Sequence, residues 1–224
     1  MPKSCKIVLR LEENAAGRDF VCGDIHGCFD DLEEGLRGIG FDKARDRIFC
    51  VGDLIDRGPK SDLAGEYMRA PWFFSVTGNH ERMFCDANAA GMPRRFLAPY
   101  VRRHVANGGD WAYDALSPEV RREIREEANS LPLVIRVGNI LIAHAALPEV
   151  ENLEEIEENP AEYLGTMTWL RGPYPAMRIP GIERVYVGHS IVGEPLESGK
   201  YLNVDTGAFL KYWGKKGMLT ILEI

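Results

Sequence analysis

An α/β fold, arranged as a two-sheet β sandwich flanked by helices with a helical cap at about residues 91–130, is predicted by three features of the chain. The first part alternates short apolar runs with helix-periodic stripes in the order β-α-β-α-β. The last part carries apolar runs joined by turn residues, and the stretch between the two is rich in charge and turn residues. At 224 residues the chain fits one compact unit with an insertion, so a single domain over 1–224 is expected.

Residues 6–11 and 19–22 read as strands joined by a polar loop with Asn14 and Gly17 as turn residues. Phe29, Leu32, Leu36 and Ile39 then form the stripe of an amphipathic helix, with Gly40 at its C-terminal cap. Residues 48–51 make the next strand, and a helix after Pro59 is expected to use Ser61 as N-cap and to pack through Leu63, Ala64 and Tyr67. Residues 72–76 form a third strand, followed by a helix over 81–90. Inside the cap, Ser117-Pro118 starts a helix with a capping hydroxyl and a proline at the first helical position, and Val120, Ile124 and Ala128 supply its buried stripe. Residues 133–137 and 140–143 flank Gly138-Asn139, a tight hairpin turn. With 184–187, 201–204 and 218–224, the second half reads as antiparallel.

Composition narrows the function. A chain that is 45% hydrophobic and 27% charged is packed rather than largely disordered. A formal charge of −7 excludes a protein whose main task is to coat nucleic acid, which draws its affinity from many cationic contacts to phosphate. Five cysteines, odd in number and without C-x-x-C or zinc-finger spacing, read as reduced, with Cys22 and Cys28 as buried thiols. Residues 1–13 offer no signal-peptide core, and no apolar run reaches the ~18–20 residues of a membrane helix, so a cytoplasmic protein without membrane contact is expected. Seven glutamates within 149–162 read as a solvated face.

Three runs carry the chemistry: Gly23-Asp24-Ile25-His26-Gly27, Gly52-Asp53-Leu54-Ile55-Asp56-Arg57-Gly58-Pro59 and Gly78-Asn79-His80-Glu81. Each follows an expected strand, and the spacings of 29 residues from Asp24 to Asp53 and 26 from Asp53 to Asn79 match a strand, a crossover helix and the next parallel strand. The runs therefore fall at the carboxyl edge, where open α/β sheets build their sites. Four of the five histidines, His26, His80, His144 and His189, follow strand ends, whereas His104 reads as a structural core residue. Oxygen donors mixed with imidazole, and no thiolate, suit Mn, Fe or Zn. A central carboxylate such as Asp53 can bridge two divalent cations roughly 3.5–4 Å apart, which then share a hydroxide formed near neutral pH.

With these residues in view, the chain resembles the metallophosphoesterase superfamily and, within it, the phosphoprotein phosphatase family, most closely the small bacterial and phage-type (lambda-phage-like) serine/threonine and tyrosine phosphatases. The resemblance runs from about Asp19 to Gly207. It implies two divalent metal ions, Mn foremost, with Asp24 and His26 on the first, Asp53 as bridge, and Asn79, His144 and His189 on the second. It implies that Arg57 and Arg171, with Asn79, grip the phosphoryl oxygens, that His80 protonates the leaving alkoxide, and that Asp56 orients His80. The implied substrate is a phosphorylated protein or peptide. Asn107-Gly108-Gly109-Asp110-Trp111 is similar to a loop of the phage-type group, and Thr168-Trp169-Leu170-Arg171 to the region that carries the second arginine.

His144-Ala145-Ala146-Leu147-Pro148 departs from the His-Gly-Gly of the eukaryotic branch, so a free-standing monomer without a eukaryotic-type regulatory subunit is expected. Glu81 completes the Asn-His-Glu motif but is assigned no catalytic role. A symmetrical dinucleoside tetraphosphate hydrolase and an RNA 2′,3′-cyclic phosphatase are the enzymatic alternatives; the former generally lacks the acidic residue found here as Asp56. An inactive metal-binding scaffold would have lost a ligand or His80, and this chain keeps all of them.

Overall fold

The computed structural model describes residues 6–224, which form ten strands and eight α-helices. Three strands of the first sheet, β2 (Asp19–Cys22), β3 (Arg47–Cys50) and β4 (Phe73–Ser75), run parallel and in register. The crossovers carry α1 (Phe29–Gly38) and α2 (Ala64–Arg69), and β10 (Ile221–Glu223) closes the sheet antiparallel to β2. The second sheet has the order β1-β5-β6-β7-β9-β8, with β1 (Val8–Leu11), β5 (Val134–Val137), β6 (Ile140–Ala143), β7 (Arg184–Val187), β8 (Leu196–Ser198) and β9 (Tyr201–Asn203).

Period-two alternation along these strands makes the layers. Val21, Phe49, Val51 and Val76 from the first sheet meet Ile135, Val137, Ile142 and Tyr186 from the second, forming the core between the sheets. Their neighbours Phe20, Cys22, Ile48 and Cys50 face outward onto Phe29, Leu32 and Leu36 of α1 and onto Ala64 and Met68 of α2. On the far side, Leu141, Ala143 and Val185 pack on Leu153, Ile156 and Met167, from α7 (Glu154–Glu158), α8 (Pro160–Trp169) and the turn before them. Each such side chain contributes roughly 1.5–3 kcal/mol when fully buried.

The expected hairpin is present: β5 and β6 pair antiparallel, Val137 opposite Ile140. The expectation of an antiparallel second half holds for β5–β6, β8–β9 and β10 against β2, and is corrected for the rest, because β1–β5, β6–β7 and β7–β9 are parallel. A parallel return needs a crossover long enough to bring the chain back to the same end, and residues 144–183 with α7 and α8 provide it between β6 and β7. Ser61 is not an N-cap. It opens a 3₁₀ turn, Ser61–Leu63, and its hydroxyl accepts a hydrogen bond from the Asp56 amide at 2.8 Å.

The inserted region contains α4 (Arg94–Ala106), α5 (Trp111–Asp114) and α6 (Pro118–Ser130). Ser117 caps α6 as expected, its Oγ accepting from the Val120 amide, and Ile124 and Ala128 are buried. Val120 is 39% exposed and not part of the stripe. The acidic segment is half-submerged: Val150, Leu153 and Ile156 are buried, while Glu154 and Glu157 pair with Arg10 at 2.8 Å. Cys22, Cys28, Cys50 and Cys85 are buried free thiols, and Cys5 lies outside the described residues with the rest of 1–5. Burial pushes Cys28 and Cys85 up to about 12, which suppresses the reactive thiolate. Among the described residues no helix is long and apolar enough to cross a membrane.

Asp46 locks the turn that feeds β3. Its carboxylate accepts from the Arg18 amide at 2.8 Å, the Arg18 guanidinium at 2.7 Å and the Asp42 amide at 3.0 Å. Burial alone would raise this carboxyl, but these donors hold it at about 2. With the folded value below the unfolded one, the contribution is complete above about pH 4 and is lost as pH falls through about 2. Asp46→Asn is expected to lower the unfolding free energy by about 1–2 kcal/mol at pH 7 in urea titrations, and the difference from the unaltered protein should shrink below pH 4.

Candidate active site

Because β2, β3 and β4 are parallel and in register, their carboxyl ends present Asp24, Asp53 and Asn79 at one edge, and β6 and β7 deliver His144 and His189 to the same place. The loops are pinned across strands: the His26 amide donates to the Asp53 carbonyl at 2.8 Å and the Gly188 amide to the His144 carbonyl at 2.8 Å. His26, Asp53, Asp56, Arg57 and His189 all adopt positive φ, between 45° and 72°. A non-glycine residue there costs on the order of 1–3 kcal/mol and persists only where its surroundings over-determine it. Gly78 and Gly188 are required by close approach, since a Cβ at either position would overlap the Asp53 or Asp24 carboxylate.

Two trios share Asp53: His26, Asp53 and His80, and Asp53, His144 and His189, each residue offering one nitrogen or oxygen and these atoms lying within 4.8 Å of one another in each trio. Asp53 Oδ2 lies 3.6 Å from His26 Nε2 and Oδ1 3.5 Å from His144 Nε2. Asn79 Oδ1 is 3.0 Å from His144 Nε2. Asp24 lies outside both trios, its carboxylate accepting from the His189 amide at 3.1 Å. The expected side chains therefore converge, with Asp24 at the margin of the group.

The second ring nitrogens are occupied by neutral acceptors. His26 Nδ1 donates to the Ile55 carbonyl and His144 Nδ1 to the Val51 carbonyl, each at 2.8 Å, which leaves each Nε2 without a proton. His189 Nε2 donates to the Trp169 carbonyl at 3.2 Å, which frees Nδ1. Burial, above all other causes, pushes His26 well below the usual imidazole range, lowers His144 and brings His189 to about 3. The rings are thus neutral. Burial and then repulsion from Asp205 and Asp53 push Asp24 well above the usual carboxylate range, and burial raises Asp205 to about 6. Crowded buried carboxylates with neutral imidazoles form a cage that divalent cations relieve, and oxygen and nitrogen donors without thiolate fit such ions.

On the other side, His80 Nδ1 donates to Asp56 Oδ2 at 2.6 Å, while its buried Nε2 has no hydrogen-bond partner among the described residues and lies 3.9 Å from Asp53 Oδ2. Arg57 donates to His26 Nε2 at 2.8 Å and lies over the Phe209 ring. Arg57, Arg171 and His189 line one cleft of roughly 530 Å³ together with Phe209 and Trp213. Trp169 is 38% exposed and lies beneath Arg103. Glu81 is structural, consistent with its assignment: it accepts from the Asp53, Leu54 and Gly78 amides at 2.8–3.0 Å, clamping the second run to the start of α3 (Asn79–Ala87).

Two residues outside the expected site set reach it. His104 is a buried, hydrogen-bonded histidine as expected, and its partner is a site residue: its Nε2 donates to Asp56 Oδ1 at 2.9 Å, beside Trp111 Nε1 at 2.7 Å. Asp205, buried near Asp24, was not singled out, although it follows the end of β9 as the other site residues follow theirs.

Residues 20–193, which hold all of these side chains except Asp205, Phe209 and Trp213, match the calcineurin-like phosphoesterase family. The chain belongs to that family. This calcineurin-like phosphoesterase is 31% identical to serine/threonine-protein phosphatase 1 of Salmonella typhimurium over 98% of the chain and 97% of the relative. It is 33% identical to a symmetrical bis(5'-nucleosyl)-tetraphosphatase of Methylococcus capsulatus, over 60% of the chain and 45% of that relative. A solved protein serine/threonine phosphatase from Saccharomyces cerevisiae, with similarity to human phosphatase PP5, shares the fold at TM-score 0.68 and 19% identity, over 95% of this chain and 75% of that one. Family membership makes the protein a metal-dependent phosphatase.

Mn at a hundredfold excess over its Kd is expected to raise Tm by about 5–10 °C relative to chelator-treated protein, as read by a thermal melt. Asp53→Asn should abolish that shift, and a retained shift would exclude a shared carboxylate.

Proposed function

We propose that this calcineurin-like phosphoesterase is a serine/threonine protein phosphatase, with phosphotyrosine open to the same chemistry. In this reading Asp24 and His26 hold one cation, Asn79, His144 and His189 the other, and Asp53 both. A bound pair of divalent cations, Mn foremost and Fe or Zn by the same donor set, supplies Lewis acidity and an ionised water at neutral pH. Arg57 and Arg171 bind the phosphoryl oxygens, as planar guanidinium groups do bidentately, assisted by Asn79. The substrate is a phosphorylated protein segment, and the chain acts free-standing, as a monomer, without a regulatory subunit of the eukaryotic type.

The observation that carries the reading is the 2.6 Å contact between His80 and Asp56. His26 and His144 rest their far nitrogens on neutral carbonyls, whereas His80 rests its own on a carboxylate, which stabilises an imidazolium and suits proton donation. A seryl or threonyl alkoxide is strongly basic and leaves only with a proton, while a nucleotide phosphate leaves readily without one. An oriented donor therefore supports an alkyl phosphate substrate over a dinucleoside polyphosphate.

Metal-stripped protein reconstituted with Mn is to be offered a phosphoserine peptide, diadenosine tetraphosphate and an RNA 2′,3′-cyclic phosphate in parallel. The highest kcat/KM is expected for the peptide, and a tenfold or greater preference for either other substrate would overturn the reading. His80→Asn is expected to lower kcat on the peptide about 10²–10³-fold while bound Mn, measured by elemental analysis, stays unchanged.

A further inference from the structure

Asp56 is wholly buried, and a buried carboxylate is tolerated only where its lone pairs are filled. One oxygen, Oδ2, serves His80. The other takes two donors, and both come from the cap: His104 Nε2 at 2.9 Å from α4 and Trp111 Nε1 at 2.7 Å from α5. A carboxylate only accepts, so His104 carries a proton on Nε2, and its Nδ1 is hydrogen-bonded with the Tyr113 hydroxyl at 3.0 Å. Packing fixes both rings. Phe84 meets His104 edge-on and stacks on Trp111, and a Cβ at Gly109 would overlap the His104 ring. The same loop returns to the site through the backbone, since the Gly108 carbonyl accepts from the Arg57 amide.

We infer that His104 and Trp111 are positioning residues: through Asp56 they hold His80 where it can protonate the leaving oxygen of an alkyl phosphate. The inference rests on the reading of His80 as proton donor. With both cap donors in place the Asp56 carboxylate cannot rotate about its Cβ–Cγ bond without breaking three hydrogen bonds, so the His80 ring is fixed from behind. Burial alone would raise the Asp56 carboxyl; hydrogen bonds from His104 and His80 hold it at about 2, and it stays ionised as the partner of His80. The cap thereby acts on the chemistry of bond cleavage and not only on access to the cleft.

The test uses the Mn-loaded full chain and two small esters, phosphoserine amide as the alkyl phosphate and p-nitrophenyl phosphate, whose leaving group needs little protonation. His104→Leu is expected to lower kcat about 10–100-fold on the alkyl ester and less than about threefold on the aryl ester, with KM unchanged for both. Trp111→Phe, which keeps the ring stacked on Phe84, should show the same pattern at about 3–10-fold, and His104→Gln, which keeps an N–H donor, should recover most of the loss. In a His80→Asn background, His104→Leu should add no further loss. Equal losses on the two esters, or losses that multiply in the His80→Asn background, would overturn the inference in favour of a structural role. Should His104→Leu fail to fold, Trp111→Phe decides alone by the same criteria. If His80→Asn slows the alkyl ester and neither cap variant does, only this inference falls; if His80→Asn leaves alkyl turnover intact, the proton-donor reading falls with it. Because both esters are small, wild-type protein that ignores phosphopeptides counts against the protein-phosphatase reading alone.

Discussion

A single carboxylate, Asp53, sits between three imidazoles where the ends of two sheets meet, fully withdrawn from water. Its burial dictates what can stand around it. Gly78 must lack a side chain to let it in, Glu81 must hold its loop by three amides, and its own backbone must sit in the left-handed region. Two of the rings it faces, His26 and His144, stay neutral because they are buried, with their far nitrogens on carbonyls. A cage that combines carboxylate charge with neutral imidazoles is stabilised by cations, so the affinity for metal is built in by the backbone before any substrate arrives.

The site has two sides of different construction. The metal side is assembled from strand ends, whose positions follow from sheet register. The side that holds His80 and Asp56 rests on helices of the cap, packed through Phe84 of α3. Arg57 joins the two, touching His26 with its guanidinium and the Gly108 carbonyl with its amide. A strained φ of 69° at Arg57 is maintained by being held from both directions.

Most of the metal side was legible in the sequence. Apolar runs of strand length followed by Asp, Asn or His at βαβ spacing leave little freedom about where those side chains land, and the Gly138-Asn139 hairpin is encoded locally. Strand direction in the second sheet was not legible, because an apolar run covered on both faces reads the same either way, and β8, exposed throughout, gives no apolar signal. Nor was the support of Asp56. His104 and Trp111 reach it across 48 and 55 residues, and no periodicity marks a contact between a helix interior and a loop so far away. Asp205 was within reach of the strand-end rule that found the other site residues.

The cap helices α4 and α5 belong to one uninterrupted stretch between α3 and β5, whereas the cage residues are scattered over the rest of the chain. Replacement or drift confined to that stretch would alter the bracing of Asp56 and leave the cage untouched. Descendants of such a chain could diverge in which esters they cut while inheriting the same ion chemistry, so the segment is a natural place to look for the origin of substrate differences among kindred enzymes.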